Sequence, residues 1–272
     1  MRFGERLQKL DSRLIYAVMI LVIAIPLIKP IGFPVKLSRE AKAAFETIDA
    51  VAPGETVLIA TSIFPSTQAE LEPQTIAVLR HLVSKQVKMV IASCHPETPR
   101  YVDRYVSLLT DLGYKDGIDF VALPFMAGDE TLYAAMGQDF KSIYGQVPQS
   151  ELWDSISDIK SFKLVISISG GDMARMLCAH VGDPHGIKVV ACIAAVVLAS
   201  TQQFFSSGQL SGMVAGMSGA AEYEFMAKVP GKGIAGMDAQ SLGHLWIISL
   251  VILGNIGYLT TRDQKERAGG VK

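Results

Sequence analysis

The sequence predicts an α/β fold in which helices cover both faces of an open, mostly parallel sheet, with a transmembrane helix at each end of the chain. Short apolar runs rich in β-branched residues alternate with amphipathic stretches, and strands that are joined by helices pair in parallel. Half of the 272 residues are hydrophobic and the mean hydropathy is +0.32, which is high for a soluble protein with 19% charged residues. This apolar excess lies at the two ends and between Val189 and Ala221, where no charged residue occurs.

The first apolar run, Leu14–Ile28, is uncharged but shorter than the roughly 20 residues that a membrane-spanning helix needs. Lys29 can extend its ammonium group to the lipid headgroups, so that the span continues to about Phe33. A cleaved signal peptide is the alternative, but the residues after the run offer no convincing small-residue cleavage site. We therefore interpret the segment as an uncleaved anchor.

The second apolar run, Leu242–Thr260, is long enough to span a membrane, with Trp246 and Tyr258 near its two interfaces. Asn255 is its only strongly polar residue deep inside and can hydrogen-bond a neighbouring helix. Both chain ends are basic, and the positive-inside tendency places both in the cytoplasm. The sequence thus predicts a two-pass protein of the cell membrane, in contact with the lipid bilayer, whose main domain is extracytoplasmic. The predicted segments are a cytoplasmic tail (1–13), a transmembrane helix (14–35), the α/β domain (36–240), a second transmembrane helix (241–260) and a basic cytoplasmic tail (261–272).

The elements of the α/β domain follow from apolar periodicity and turn residues. A helix is predicted over Ser38–Val51, because Ser38 is a favourable N-cap, Glu40 lies in the first turn and apolar residues recur at helical spacing. Strands are predicted at 56–61, 87–92, 120–123, 163–168 and 188–197, and helices at 68–85, 99–112, 131–143 and 173–181. This alternation is Rossmann-like.

The candidate binding residues lie where the predicted strands end, because ligands of such folds collect at the carboxyl ends of the strands. Hydroxyl groups and glycine N–H groups at helix N-termini can bind an anion or another polar solute there. The alternative is that the Ser, Thr and Asp residues only cap helices. The candidates are Ser62, Ser66, Thr67, His95, Gly170, Gly171 and Asp172.

Familiar catalytic and cofactor patterns are missing from the sequence. No GxxxxGK[ST] loop occurs, no GxGxxG follows a strand, and Gly216–Ala220 resembles a nucleophile elbow only loosely. His180, Asp183 and His185 are three possible metal ligands, but Pro184 between them indicates an ordinary turn. Glu222 and Glu224 would diverge on a helix and form no acid–base pair. We predict no catalytic residue, no metal and no cofactor.

The charge distribution argues against nucleic acid as a partner. Between Lys36 and Asp238 the chain has 16 basic and 22 acidic residues, a net charge of −6. Binding to phosphate backbones requires a basic surface.

A glycine-rich stretch spaces Gly208, Gly212 and Gly216 four residues apart, and Ser211, Ala215 and Gly219 likewise. A third membrane span is one interpretation, although Gln202, Gln203 and Gln209 make the region too polar. A phosphate loop is another, although such loops follow a strand directly and are irregular. We favour a Gly-rich packing helix over 206–227, whose stripe (Gly208, Gly212, Gly216 and Gly219) meets its own domain, the second anchor or another copy.

Three segments together resemble a known pattern: "PIGFPV" after the first anchor, "FPSTQAELEP", and "SGQLSGMVAGMSGAAEYE" ahead of the second anchor. The chain resembles an uncharacterised family of prokaryotic membrane-anchored α/β proteins, with the GQL…GAAEYE segment as the most specific part. The resemblance implies this architecture and no activity.

The functional expectation is a membrane-anchored, non-enzymatic structural or assembly subunit. It would oligomerise through the Gly-rich helix and the anchors, with copies of itself or with other membrane subunits. The alternative is a membrane-tethered binding or sensor domain that takes a small polar or anionic solute at the carboxyl ends of the strands.

Overall fold

A computed structural model describes residues 11–269, with side chains over residues 11–260. The chain divides into two compact units. One contains Pro34–Ile234, and the other contains the described residues up to Phe33 together with those from Ala235 onwards. Each unit is described by itself.

Pro34–Ile234 is built on a six-stranded parallel sheet. The strands are β1 (Thr56–Ser62), β2 (Lys88–Ser93), β3 (Phe120–Ala122), β4 (Leu164–Ser169), β5 (Lys188–Ile193) and β6 (Gly212–Ala215). Their order across the sheet is β3-β2-β1-β4-β5-β6, and every neighbouring pair is parallel. The predicted α/β class with a parallel sheet is confirmed, and the strand order is that of dinucleotide-binding Rossmann sheets.

Helices connect the strands. In chain order they are α2 (Arg39–Asp49), α3 (Pro65–Ser84), α4 (Pro99–Asp111), α5 (Glu130–Ile143), α6 (Glu151–Ser155), α7 (Met173–Leu177), α8 (Asp183–His185), α9 (Leu198–Ser206) and α10 (Gly216–Ala227); α1 (Ser12–Ile28) precedes them and α11 (Lys232–Gly269) follows. Ser38 caps α2 as predicted, since its side chain accepts a hydrogen bond from the Ala41 N–H. The predicted helix over 173–181 is α7 followed by a π-helical turn, Cys178–Gly182.

The core forms two apolar clusters, one on each face of the sheet. Successive residues of β1 alternate between them: Leu58 and Ala60 belong to one cluster, and Val57 and Ile59 to the other. Because both faces are covered, the strands are apolar along their whole length, which is why they stand out in the sequence.

The predicted Gly-rich helix over 206–227 is wrong in its first half. Gly208 lies in a turn with φ +84°, Gly212 begins β6, and Gly216, with φ +62°, joins β6 to α10. A Cβ atom on Gly212 would lie 2.2 Å from the Ala44 backbone nitrogen of α2. The absence of a side chain at Gly212 therefore lets α2 pack against the sheet inside the domain. The predicted strand over 188–197 likewise ends at Ile193.

The second unit contains α1 and most of α11. Among the described residues, one helix, Lys232–Thr260 within α11, is long and apolar enough to cross a membrane. The 17 residues of α1 span about 25 Å, less than the roughly 30 Å of a bilayer core. Two transmembrane helices were predicted, so only the C-terminal one is supported by length and composition. Residues 1–10 of the predicted N-terminal tail and 270–272 of the predicted C-terminal tail lie outside the described part, and the backbone of 261–269 continues α11.

Candidate functional site

The carboxyl edge of the sheet, here called the rim, has its topological switch point between β1 and β4. Ser62 and Ser169 end these two strands and are paired in register. Chain connections run in opposite directions from this point, and Rossmann sheets bind ligands in the crevice that results. The predicted residues Ser62, Gly170 and Gly171 therefore lie at the expected place.

Part of the rim is filled by Thr67 and Phe64. The Thr67 hydroxyl donates to the Phe64 carbonyl at 3.1 Å and accepts from the Phe64 N–H at 3.4 Å. It therefore caps the first turn of α3. A Cβ atom on Gly170 would lie 2.4 Å from Thr67 Cγ2 and 3.3 Å from Phe64 Cζ. Thr67 and Gly170 pack against each other, which favours the capping interpretation for Thr67. Ser66 is exposed.

The remaining candidates border the same place. The His95 ring lies 5.2 Å from the Phe64 ring between centroids, and its Nδ1 accepts the Glu97 N–H. The Gly171 N–H donates to Ser169 Oγ at 3.0 Å. Asp172 is exposed and makes no side-chain cap on α7. Its carboxylate is therefore free for solvent or a solute. Phe64, which touches both Gly170 and His95, was not recognised from the sequence because one aromatic residue in a loop gives no pattern.

The thiol at the end of β2 is not a suitable nucleophile at neutral pH. Burial raises the pKa of Cys94 to about 12, against the opposing effect of the Tyr133 hydroxyl. A reactive cysteine needs the thiolate form. Cys94 therefore supplies no thiolate beside the rim.

A second polar arrangement lies on α10, in Glu222, Tyr223 and Glu224, here called the clamp. All three side chains are buried. The Glu222 carboxylate accepts from the Ser38 N–H at 2.7 Å and from the Ser38 hydroxyl. Ser218 also donates to it, at 3.2 Å. Glu222 thereby holds the N-cap of α2, close to where the chain enters this unit at Pro34.

Glu224, 2% exposed, holds the start of α11. Its carboxylate accepts from the N–H groups of Gly231 (3.0 Å), Gly233 (2.8 Å) and Ile234 (2.8 Å). Burial raises the pKa of Glu224, and these three hydrogen bonds oppose the rise. A carboxylate at a helix N-terminus satisfies N–H groups that lack partners in the helix and interacts favourably with the helix dipole.

Tyr223 connects α10 to the ends of α2 and α3 through His81. The Tyr223 oxygen lies 2.8 Å from His81 Nδ1, and His81 Nε2 lies 3.2 Å from Asp49, which also pairs with Lys85 at 3.3 Å. Burial lowers the pKa of His81, and the hydrogen bond that its ring donates to Asp49 opposes this change. In the neutral form, Nε2–H donates to Asp49 and Nδ1 accepts from Tyr223. Tyr223 and His81 are buried, so this part of the chain of contacts holds α10 against α3.

The unit that contains α1 has a carboxylate contact of the same kind. Asp238, 2% exposed, accepts from the N–H groups of Ile31 (2.7 Å), Gly32 (2.8 Å) and Phe33 (3.1 Å). Gly32 has φ +76°, a conformation that turns consecutive N–H groups towards one acceptor. The "PIGF" segment is thus bound to α11. This contact could not be predicted from the sequence, because Asp238 lies 207 positions from Ile31.

The predicted packing residues of α11 and α10 have different surroundings. Asn255 is exposed, and its amide donates to Val251 O of its own helix at 2.9 Å. A Cβ atom on Gly254 would meet nothing within 4 Å, whereas one on Gly219 would lie 3.1 Å from Val214. Gly219 therefore packs inside the domain, and Gly254 and Asn255 lie on an open helix surface.

Within the described residues, no group of three or more His, Cys, Asp or Glu side chains is placed to hold a metal ion. His180 instead lies 3.1 Å from Glu130, and Asp183 accepts from Gln209. No protein family matches the chain, and no curated protein matches it either. Function must therefore be argued from the geometry.

Proposed function

We propose that the protein is a non-enzymatic structural or assembly subunit, anchored in the cell membrane by two helices, with its α/β domain outside the cytoplasm. The proposal rests on the hydrogen bonds that the buried carboxylates accept from the backbone. Glu222, Glu224 and Asp238 are the kind of groups that acid–base catalysis uses, and each is engaged by backbone N–H groups next to a helix start or a chain junction. Such contacts hold segments within each unit in place, which is a structural use of these carboxylates.

The surface of α1 and α11 supports a membrane location. Most of the exposed large apolar side chains lie on these two helices, among them Leu14, Ile20, Ile28, Leu245, Ile248 and Val251. Soluble monomers rarely expose apolar patches of this extent, whereas lipid tails cover them at no cost. The binding of residues 31–33 by Asp238 favours an N-terminal segment that stays with the protein.

The proposed contact between copies lies on α11. Gly212 and Gly219 are occupied by packing within their own domain, so they are not available to a second copy. Gly254 and Asn255 are open, and a small residue beside an amide is typical of helix contacts in membranes. Lipid and further copies, or other membrane subunits, are the partners.

One cross-linking experiment tests both location and assembly. A membrane-impermeant, lysine-reactive cross-linker added to intact spheroplasts should give dimers or larger species of the full chain. Asn255→Leu should reduce them, while the control Ile252→Leu on the same exposed helix should not. Cross-linked species that form only after permeabilisation would contradict the extracytoplasmic location, and monomers in both conditions would contradict assembly.

A second candidate function is solute binding at the rim, favoured by the pairing of Ser62 with Ser169 at the switch point. Because Asp172 caps nothing, Asp172→Ala should change the free energy of unfolding by less than about 0.5 kcal/mol. It should also abolish any thermal shift that inorganic phosphate or glucose gives the wild type. The control Asp103→Ala, on the exposed face of α4, should keep the shift. A wild type that neither solute shifts, or an unchanged shift in Asp172→Ala, would contradict this candidate.

A further inference from the structure

A cleft of about 700 Å³ opens at the amino edge of the sheet, opposite the rim. Its walls come from the end of α2, the loop before β1, the turn before β4 and the turn before β5. The charged and titratable side chains that line it are Glu55, Lys160, Lys163, His185 and Lys188. These residues belong to neither the rim nor the clamp.

The charge of the cleft is opposite in sign to the net charge of Lys36–Asp238. Three lysines and one carboxylate line it, although Lys36–Asp238 has a net charge of −6. Glu55 lies 3.5 Å from Lys163 and also accepts the Ala52 N–H at 2.8 Å, so this carboxylate is already engaged. Among the described residues, neither Lys160 nor Lys188 forms an ion pair with a carboxylate. A concave surface that gathers unpaired charges of one sign concentrates ions of the other sign.

The volume of the cleft and the residues that line it indicate the class of ligand that it can bind. The cleft lies within the range of small-molecule sites, roughly 300–1,000 Å³. Its floor is formed by Val51, Phe162 and Leu164, which are all buried, and the three lysines also line it. Lysine ammonium groups bind phosphate oxygens as point charges. The lining thus suits a compact anion with more than one negative charge.

We infer that this basic cleft is a binding site for a small multivalent anion of the phosphate type. The three lysines come from the turn before β4 (Lys160 and Lys163) and the first residue of β5 (Lys188), so the parallel sheet sets their spacing. His185, at the end of α8, adds an imidazole to the same wall.

Calorimetric titration of the full chain in phosphatidylcholine nanodiscs with pyrophosphate tests the inference. The wild type should bind, and 0.5 M salt should weaken binding because screening acts on exposed charges. The triple variant K160Q/K163Q/K188Q should lose about tenfold or more in affinity. The control K42Q/K115Q/K228Q, which removes three exposed lysines elsewhere in the unit, should keep wild-type affinity. No pyrophosphate binding, or equal losses in both triple variants, would overturn the inference.

Repeating the titration in nanodiscs that contain phosphatidic acid, whose phosphomonoester headgroup can carry two negative charges, identifies the source of the anion. If phosphate headgroups occupy the cleft, they should compete, so that pyrophosphate affinity falls in the wild type and not in K160Q/K163Q/K188Q. Unchanged affinity assigns the cleft to a free anion. Either result supports the site, because both depend on the same three lysines.

Discussion

Replacing Gly212 by alanine should destabilise the α/β domain by about 3 kcal/mol or more. The new Cβ atom would lie 2.2 Å from the Ala44 nitrogen, 2.3 Å from its Cα and 2.7 Å from the Ala43 carbonyl carbon. All three are backbone atoms of α2, which cannot rotate away as a side chain does. To remove this steric overlap, α2 or β6 must move. Thr47, which also lies on α2, would then lose its hydrogen bond to the Ser211 carbonyl.

Urea unfolding of the purified full chain measures the effect. The control is Gly171→Ala, because the nearest atom to a Cβ there is Ser169 Oγ at 3.9 Å and the backbone conformation needs no glycine. Gly171→Ala should unfold near the wild-type midpoint. If Gly212→Ala did the same, α2 and β6 would not pack as closely as described.

This prediction also changes how assembly can be tested. Bulky substitutions at Gly212 or Gly216 cannot test a glycine-mediated contact between copies. In the structure they would disrupt the domain itself, since Gly216 has φ +62° and a Cβ there would lie 3.0 Å from Ala195. A loss of oligomers in such variants would report unfolding, so Asn255 is the better position.

Replacing Glu224 by alanine should cost about 3 kcal/mol of stability, because three backbone hydrogen bonds to this carboxylate are lost. The N–H groups of Gly231, Gly233 and Ile234 would lose their acceptor, and the Gly233 N–H, which is buried, would keep its full desolvation cost. The start of α11 should fray. Hydrogen–deuterium exchange should rise at residues 231–234, and the unfolding midpoint should fall.

Two further variants test whether the loss of stability is specific to the hydrogen bonds of Glu224. Glu224→Gln keeps the shape and one carbonyl oxygen, so it should lose less stability than Glu224→Ala. Glu46→Ala removes an exposed carboxylate whose ion pair with Lys42, at 3.8 Å, contributes little, and should stay within about 0.5 kcal/mol of the wild type. Equal exchange at 231–234 in Glu224→Ala and Glu46→Ala would show that Glu224 does not hold the helix start.

The sequence by itself determined the features that depend on neighbours along the chain. Strands that are buried on both faces are continuous apolar runs in the sequence, as β1 is. Ser38 marked the start of α2, because serine is a favourable N-cap residue. Their alternation with helices was enough to predict a parallel sheet. The apolar run within α11 was equally visible, because its signal is length and composition alone.

Only the tertiary structure decided what the glycines and the buried carboxylates do. Gly212 carries no side chain to signal a strand, and its spacing from Gly208 and Gly216 fits a helix as well. Its place in β6 follows from the contact with α2, which is distant in sequence. Glu222 and Ser38 are 184 positions apart, and Asp238 and Ile31 are 207 apart. A carboxylate has the same appearance in a sequence whether it faces water, a substrate or backbone N–H groups. Its role is set by the donors that folding brings within hydrogen-bond distance, and by the burial that makes those bonds necessary.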